Sequence, residues 1–416
     1  MHFTKTTKPL QGLRWAFALL LMVSFVSVSW AMWAMAPPVP LERLLKNVTT
    51  YIKKHPKDAQ GYYVLGRLHS LAFAKGTRKL KMYDEGVTKL PAFPSYESII
   101  TPREAKKLTP EAPAHLLASI RNYQRATELD TNHATAFLGL GWGLEDGAVY
   151  ADKVEPFPQA RKPEGKAAYW RTQALAAYRR AYQLAVARDV KLEHLGPGAD
   201  DAISLEAGEG IVRLLKGRSP SEAERQELAQ IEKTKDLIEQ KPRALTPIIF
   251  PLDQPTALAA LLTADQPVRF DLAGDGKPAW WPWVKPNVGI LVWNPNHNGR
   301  ITSGLQLFGS VTWWISWANG YEPLALLDDN GDGWLSGKEL ESLAVWKDAN
   351  SNGISEPGEV VTLQALHVDR LAVQATERSE NTLANPHGLQ LRDGRYLPTY
   401  DWTPTEVKPV RRAYCY

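Results

Sequence analysis

The segment LLDDNGDGWLSGKELESL, residues 326–343, decides what the C-terminal half of the chain is expected to be. Oxygen-bearing side chains alternate at its start, and Gly333 permits the sharp turn that directs them towards one centre. Calcium takes about six to eight oxygen ligands, and a glutamate can supply two of them. We therefore predict a calcium-binding loop over residues 328–339; the alternative is an Asp/Gly turn that caps the following segment. The expected ligands are Asp328, Asn330, Asp332, the main-chain carbonyl of Trp334, and Glu339.

A second loop with the same spacing follows in WKDANSNGISEPGEV, residues 346–360. It departs from the first because its eighth position is Ser355, where the first loop has Leu335, and its fifth position carries no charge. We predict calcium binding of lower affinity here, and the alternative is a structured turn without an ion. The expected ligands are Asp348, Asn350, Asn352, the main-chain carbonyl of Ile354, and Glu359.

The two loops are close together in the sequence. Only 20 residues separate Asp328 from Asp348, so the segment that leaves the first loop must also enter the second. We predict a short helix over residues 339–347 that serves both loops, which favours a structural or buffering role for calcium over a sensor role. Residues 271–276 and residues 294–301 copy part of the pattern with less charge, and the latter is expected to be a metal-free turn.

The order of these segments resembles a known module. The loops, together with LFGS at residues 307–310, are similar to the EF-hand-like module of secreted bacterial proteins, including the hemolysin-type calcium-binding group. The resemblance spans residues 267–373, and GLQLRDGRYLPTYDW, residues 388–402, is the expected closing hairpin. It implies a small α+β module with short strands, calcium as the ligand and an extracytoplasmic setting. It does not imply an enzyme.

Residues 41–245 are expected to be helical. An alanine, an aromatic residue, a leucine and a glycine recur with one spacing: Ala59, Tyr62, Leu65 and Gly66, then Ala134, Phe137, Leu140 and Gly141. Because glycine lets helices approach closely while the larger residues fill the same face, the pattern predicts paired helices. It resembles tetratricopeptide repeats, which implies a concave surface for a protein partner; the alternative is a generic helical array. Residues 219–241 are expected to form a long capped helix, and a Pro-rich linker follows.

The N-terminal sequence predicts export. Basic residues precede an uncharged apolar stretch, residues 15–36, whose helical length of about 33 Å matches the hydrocarbon thickness of a bilayer. We predict an uncleaved membrane anchor, with the basic side in the cytoplasm. A cleaved signal peptide is the alternative, supported by Ala34 and Ala36 and opposed by the prolines that follow. The remaining chain is expected to be periplasmic or at the cell surface, or secreted if cleavage occurs.

Charge and tryptophan content bound the function further. The net charge is +4, yet residues 265–359 hold 12 acidic and 6 basic residues, which suits a cation ligand and argues against nucleic acid. Ten of the 15 tryptophans lie between Trp280 and Trp402, where they either stack on glycans or fill the core of a small module. We found no HExxH, GxSxG, P-loop or GxGxxG pattern, and we expect no enzyme.

These observations predict a multidomain protein: an α-helical, tetratricopeptide-like array and a small α+β calcium module, after an N-terminal transmembrane helix. The expected boundaries are a basic segment at 1–14, the anchor at 15–36, the helical domain at 41–245, the linker at 246–266, the calcium module at 267–405 and a tail at 406–416. The expected function is that of a membrane-tethered extracytoplasmic calcium-binding protein with a partner-binding helical domain. The alternative is a glycan- or cell-wall-binding, or glycan-processing, envelope protein that uses a Trp-rich surface.

Overall fold

The computed structural model describes residues 39–77, 109–150, 166–196, 202–216, 219–263, 266–274, 276–379 and 382–407. The predicted basic segment, the predicted anchor and nearly all of the predicted tail lie outside these residues. Among the described residues, no helix is both long enough and apolar enough to cross a membrane. The described chain consists of an N-terminal helical region and a C-terminal curled antiparallel sheet.

The helices of the N-terminal region pack mainly on the next helix along the chain. They are α1 (Leu41–Lys54), α2 (Ala59–Thr77), α3 (Ala112–Leu129), α4 (Ala134–Val149), α5 (Lys166–Asp189), α6 (Ile203–Leu215) and α7 (Glu222–Glu239). The predicted cap of α7 is confirmed, because Ser221 Oγ accepts from the Glu224 N–H at 3.3 Å and the Glu224 carboxylate accepts from the Ser221 N–H at 2.9 Å. These two bonds satisfy main-chain donors that the first turn of a helix leaves free.

Tyrosine rings fill notches that glycines leave between helices. Tyr123 of α3 is completely buried. If Gly66 of α2 carried a Cβ atom, that atom would lie only 2.7 Å from the Tyr123 ring, and a Cβ atom on Gly139 of α4 would lie only 2.5 Å from it. Tyr178 of α5 fits against Gly141 of α4 in the same way, at 2.7 Å. The small and aromatic residues that predicted paired helices are therefore contacts of close helix packing.

The C-terminal region forms a nine-stranded sheet and a two-stranded sheet. The strands are β1 (Ile248–Pro251), β2 (Val268–Phe270), β3 (Ala279–Trp281), β4 (Val288–Trp293), β5 (Trp334–Ser336), β6 (Leu343–Trp346), β7 (Val360–Thr362), β8 (Val368–Ala372), β9 (Glu377–Ser379), β10 (Thr382–Leu391) and β11 (Tyr396–Asp401). The large sheet has the order β5-β8-β10-β11-β1-β4-β6-β7, with β9 on β10, and β2 pairs with β3. All these pairs are antiparallel. The expected closing hairpin is present as part of β10 and β11.

The segment expected to be a linker, residues 246–266, contains a strand of the large sheet. All four residues of β1 are buried, because the strand lies between β11 and β4. A short helix, α8 (Leu258–Leu261), follows in the same segment. Prolines suggested a boundary here, yet the apolar residues between them belong to the sheet core. Any fragment that begins after β1 lacks an inner strand.

The helix predicted over residues 339–347 is wrong. A 3₁₀ turn, Gly337–Leu340, is followed by β6. All four residues of β6 are buried, and the strand pairs with β4 and with β7. An apolar run of this length does not distinguish helix from strand by periodicity, and pairing on both sides selects the strand.

Candidate functional site

The two predicted loops lie on either side of β6. Residues 328–339, named loop A, follow the short helix α9 (Tyr321–Ala325) and contain β5. Residues 348–359, named loop B, connect β6 to β7. Both loops therefore belong to connections within the sheet, and neither is flanked by two long helices.

The alternating side chains of loop A turn towards the loop's own backbone. Asp328 accepts a hydrogen bond from the Gly333 N–H at 2.8 Å. Asn330 Oδ1 accepts from the Asp332 N–H at 2.7 Å, and Asp332 Oδ1 accepts from the Trp334 N–H at 2.8 Å. Gly333 has φ of +85°, a conformation that favours glycine. The turn expected at this glycine is confirmed.

Glu339, the twelfth residue, closes loop A from the other end. Its Oε1 accepts from the N–H of Asp329, the second residue, at 2.7 Å. Its Oε2 accepts from the N–H of Ser336, the ninth residue, at 3.0 Å. Glu339 is buried, so both carboxylate oxygens are directed into the loop and not to solvent.

Loop B repeats these bonds at equivalent positions. Asp348, the first residue, accepts from the N–H of Gly353, the sixth, at 2.7 Å. Glu359, the twelfth, accepts from the N–H of Ala349, the second, at 2.8 Å and from that of Glu356, the ninth, at 2.9 Å. As in loop A, the side chain of the third residue, Asn350, accepts from the N–H of the fifth, Asn352, at 3.2 Å. The side chain of Asn352 in turn accepts from the N–H of the seventh residue, Ile354, at 2.7 Å. Loop B has the local geometry of loop A despite its differences in sequence.

Two tryptophans contact the carboxylates of loop B. The Trp283 indole donates to Asp348 Oδ2 at 2.6 Å, and the Trp346 indole donates to Glu359 Oε2 at 3.5 Å. Asp348 is completely buried. Burial raises the pKa of Asp348, although hydrogen bonds from Gly353 and the Trp283 indole oppose this rise. Sequence reasoning missed these indoles, because Trp283 lies 65 residues from Asp348.

The eighth residue ties each loop to a different neighbour. Leu335 of loop A is buried in β5 and pairs with Leu371 of β8, as expected of an apolar residue here. Ser355 of loop B accepts from the Ile301 N–H at 2.8 Å and donates to the Ile301 carbonyl at 3.2 Å. A hydroxyl group thus replaces the apolar contact and joins loop B to the turn at residues 294–301.

The donor groups of both loops are the hard oxygen atoms that calcium prefers. Loop A supplies the carboxylates of Asp328, Asp332 and Glu339, and loop B those of Asp348 and Glu359. Within the residues that the structure describes, no group of three or more His, Cys, Asp or Glu side chains is gathered as a metal ion would require. The bonded oxygens accept N–H groups of the loop, and a carboxylate oxygen keeps a second lone pair for an ion. The types of donor group in both loops therefore fit calcium.

Helix α1 contacts loop A, which the sequence did not indicate. Arg43 Nε donates to Asp329 Oδ1 at 2.9 Å, and Asn47 Nδ2 donates to the same oxygen at 2.7 Å. The partners are 286 and 282 residues apart in the chain. No local pattern in either segment carries a signal for this contact.

The tryptophans of the C-terminal region are mostly core residues. The completely or almost completely buried ones are Trp281, Trp283, Trp293, Trp313, Trp317, Trp346 and Trp402. Trp280, in contrast, is 44% exposed. The placement matches core filling, and a flat aromatic surface of the kind that stacks on glycans is not formed by these buried rings.

The comparisons with known proteins concern the C-terminal region. Residues 252–401 match the SPM domain family. The chain is also similar to the iron-regulated protein FrpA of Neisseria meningitidis serogroup C, with 34% identity over 135 residues. That match covers 31% of this chain and 12% of the relative, so the chain spans about an eighth of the length of this curated relative.

These findings correct both resemblances drawn from the sequence. The C-terminal region matches the SPM domain and is a curled sheet, and is not the EF-hand-like module of hemolysin-type proteins. The resemblance of the helical region to tetratricopeptide repeats was also wrong, since no tetratricopeptide repeat family matches the chain. The physical reason is that both patterns are local. Loop hydrogen bonds and glycine notches form in several folds, so they do not specify the elements around them.

Proposed function

We propose that the chain is a calcium-binding protein in which ions at loop A and loop B stabilise the C-terminal sheet. One observation supports the proposal above all others: the first and twelfth residues make the same hydrogen bonds to the sixth, second and ninth residues in both loops. Two loops of different sequence thus place their carboxylate oxygens in the same arrangement, which is expected if both bind the same kind of ion.

The proposed role of calcium is structural. A sensor opens because a helix beside the loop is free to swing. Here β6 joins the loops and is paired on both sides, which favours stiffening over opening. We expect dissociation constants of about 10⁻⁴–10⁻³ M, which suit calcium concentrations outside the cytoplasm.

The proposed location is the cell membrane, with the chain from residue 41 onward outside the cytoplasm. The apolar residues 15–36 and the basic residues before them support a single-pass anchor, and cleavage there would give a secreted protein. We also propose that the helical region binds a partner protein. A cleft between α4 and α5, lined by Phe137, Leu140 and Tyr169, supports this role.

Calorimetry of the full-length chain in detergent tests the calcium proposal. Asp328→Ala and Glu339→Ala are expected to abolish the heat from loop A, and Asp348→Ala that from loop B. Asp236→Ala, which removes an exposed carboxylate from α7, is the matched control and is expected to change neither. Equal calcium heats in the wild type and all three loop variants would exclude the proposal.

A further inference from the structure

Two residues of α1 hold the start of loop A. Arg43 and Asn47 are one helical turn apart, so they project from the same face of α1. The Arg43 side chain donates to the Leu327 carbonyl at 2.5 Å, and Asn47 donates to the Leu326 carbonyl at 3.0 Å. Both residues also bind the Asp329 carboxylate. Helix α1 therefore binds the main-chain carbonyls of the two residues before Asp328 and the side chain of Asp329, the residue after it.

Apolar residues support the same contact. Leu44 and Val48, which neighbour Arg43 and Asn47 on α1, are buried, and so is Leu327, the residue immediately before loop A. These three residues belong to one continuous hydrophobic core. The polar contacts are partly exposed, with 23% of the Arg43 side chain and 41% of the Asp329 side chain accessible. The core therefore positions the helix, and the polar groups set its register against the loop.

Asp329 transmits this contact to the far end of loop A. While its carboxylate binds α1, its N–H donates to Glu339 Oε1 at 2.7 Å. A shift of Asp329 would therefore move a hydrogen bond of the twelfth residue, whose carboxylate is an expected calcium ligand. Asp328 and Glu339, the first and last expected ligands, both depend on a segment that α1 holds.

We propose that docking of α1 and calcium binding at loop A are coupled, so that each strengthens the other. The inference rests on the proposed calcium site and adds its regulation by a helix outside the SPM domain match. Coupling between two binding events is reciprocal: calcium must stabilise the docked helix by the same factor by which the helix tightens calcium. The helix that contacts loop A is the first described helix, and it begins at residue 41, shortly after the predicted anchor.

The test measures calcium affinity and helix protection on the full-length chain in detergent. The variant Arg43→Met with Asn47→Leu removes the polar contacts and keeps apolar volume. Its dissociation constant at loop A is expected to rise about 3- to 10-fold, at the low end of typical coupling because the contacts are partly exposed. Calorimetry gives the dissociation constant, and the heat that Asp328→Ala removes is assigned to loop A. Lys53→Met, which removes an exposed charge from the same helix, is expected to leave the affinity unchanged.

Hydrogen exchange supplies the reciprocal measurement. Saturating calcium is expected to slow exchange of the α1 amides in the wild type by a factor similar to the affinity change, and to have no such effect in the double variant. Circular dichroism without calcium separates loss of coupling from loss of folding, and Arg43→Lys, which keeps the charge, is expected to be intermediate.

Two results would overturn the coupling, and they are distinguishable. If calcium binds in an Asp328-dependent manner with the same affinity in wild type and double variant, only the coupling fails. If the wild type shows no calcium binding that Asp328→Ala removes, the proposed calcium site at loop A fails and the coupling fails with it.

Discussion

Replacing Asp401 by asparagine is expected to remove a pH dependence from the free energy of unfolding. Asp401 ends β11, is buried, and accepts a hydrogen bond from the Gly320 N–H at 2.9 Å. Burial raises the pKa of Asp401 to about 7, although the bonds from Gly320 and from the Thr246 side chain lower it. The folded protein therefore keeps this carboxyl group protonated at pH values where the unfolded chain has released the proton.

The sign and the size of the effect follow from proton linkage. Between pH of about 4 and 7 the folded state binds more protons than the unfolded state, so the free energy of unfolding falls as pH rises and levels off above 7. A pKa raised from 3.8 to about 7 corresponds to about 4 kcal/mol over the whole window, at about 1.36 kcal/mol per pH unit. Asparagine is neutral throughout and can still accept from Gly320. The gain in stability of Asp401→Asn over the wild type should be about 3 kcal/mol larger at pH 8 than at pH 5.

Urea unfolding at several pH values, with constant ionic strength and calcium concentration, measures this difference. Other groups titrate in both proteins, so subtracting the wild type from the variant isolates position 401. Asp236→Asn, on the exposed face of α7, is the control for replacing a carboxylate by an amide. A difference between Asp401→Asn and the wild type that is the same at pH 5 and pH 8 would refute the reasoning.

Two further predictions concern packing and loop B. Gly139→Ala is expected to lower the free energy of unfolding by about 1–3 kcal/mol, because its Cβ would stand 2.5 Å from the Tyr123 ring; thermal unfolding measures this, and additivity with Tyr123→Leu would contradict the stated contact. Trp283→Phe removes the indole N–H that donates to Asp348 at 2.6 Å, so calorimetry should show weaker calcium binding at loop B, by about 1–3 kcal/mol, with loop A unchanged. An unchanged affinity at loop B would show that the indole does not position Asp348.

The sequence predicted the parts of this protein that depend on short-range contacts. The capping box of α7 and the turns at the loop glycines involve residues two to five positions apart, so their patterns are visible without a fold. The same short range explains the wrong resemblances. The bond from Asp328 to Gly333 forms whether helices or strands flank the loop, so the loop pattern says little about its surroundings.

Contacts between residues far apart in the chain could not be predicted from the sequence pattern. The apolar run of β6 became a strand because β4 and β7 lie on either side of it, and neither neighbour is local. The contact from Arg43 to Asp329 joins positions 286 residues apart. The position of β1 inside the sheet depends on β11, which lies near the end of the chain. Charge and periodicity indicate whether a residue is polar or apolar, but they do not indicate which distant residue it contacts.

The strand order favours loop A as the place where a bound ion would affect the sheet most. β5 lies at one end of the order and β6 lies six strands away, next to the other end. In a flat sheet six spacings would separate them by about 29 Å. The chain from the end of β5 at Ser336 to the start of β6 at Leu343 reaches about 25 Å at full extension, and the 3₁₀ turn in it shortens that reach. The sheet must therefore curl so that its two ends approach each other. Loop A supplies β5 and the first part of the connection between these ends, and an ion held by Asp328 and Glu339 would stiffen the connection on which the curl depends.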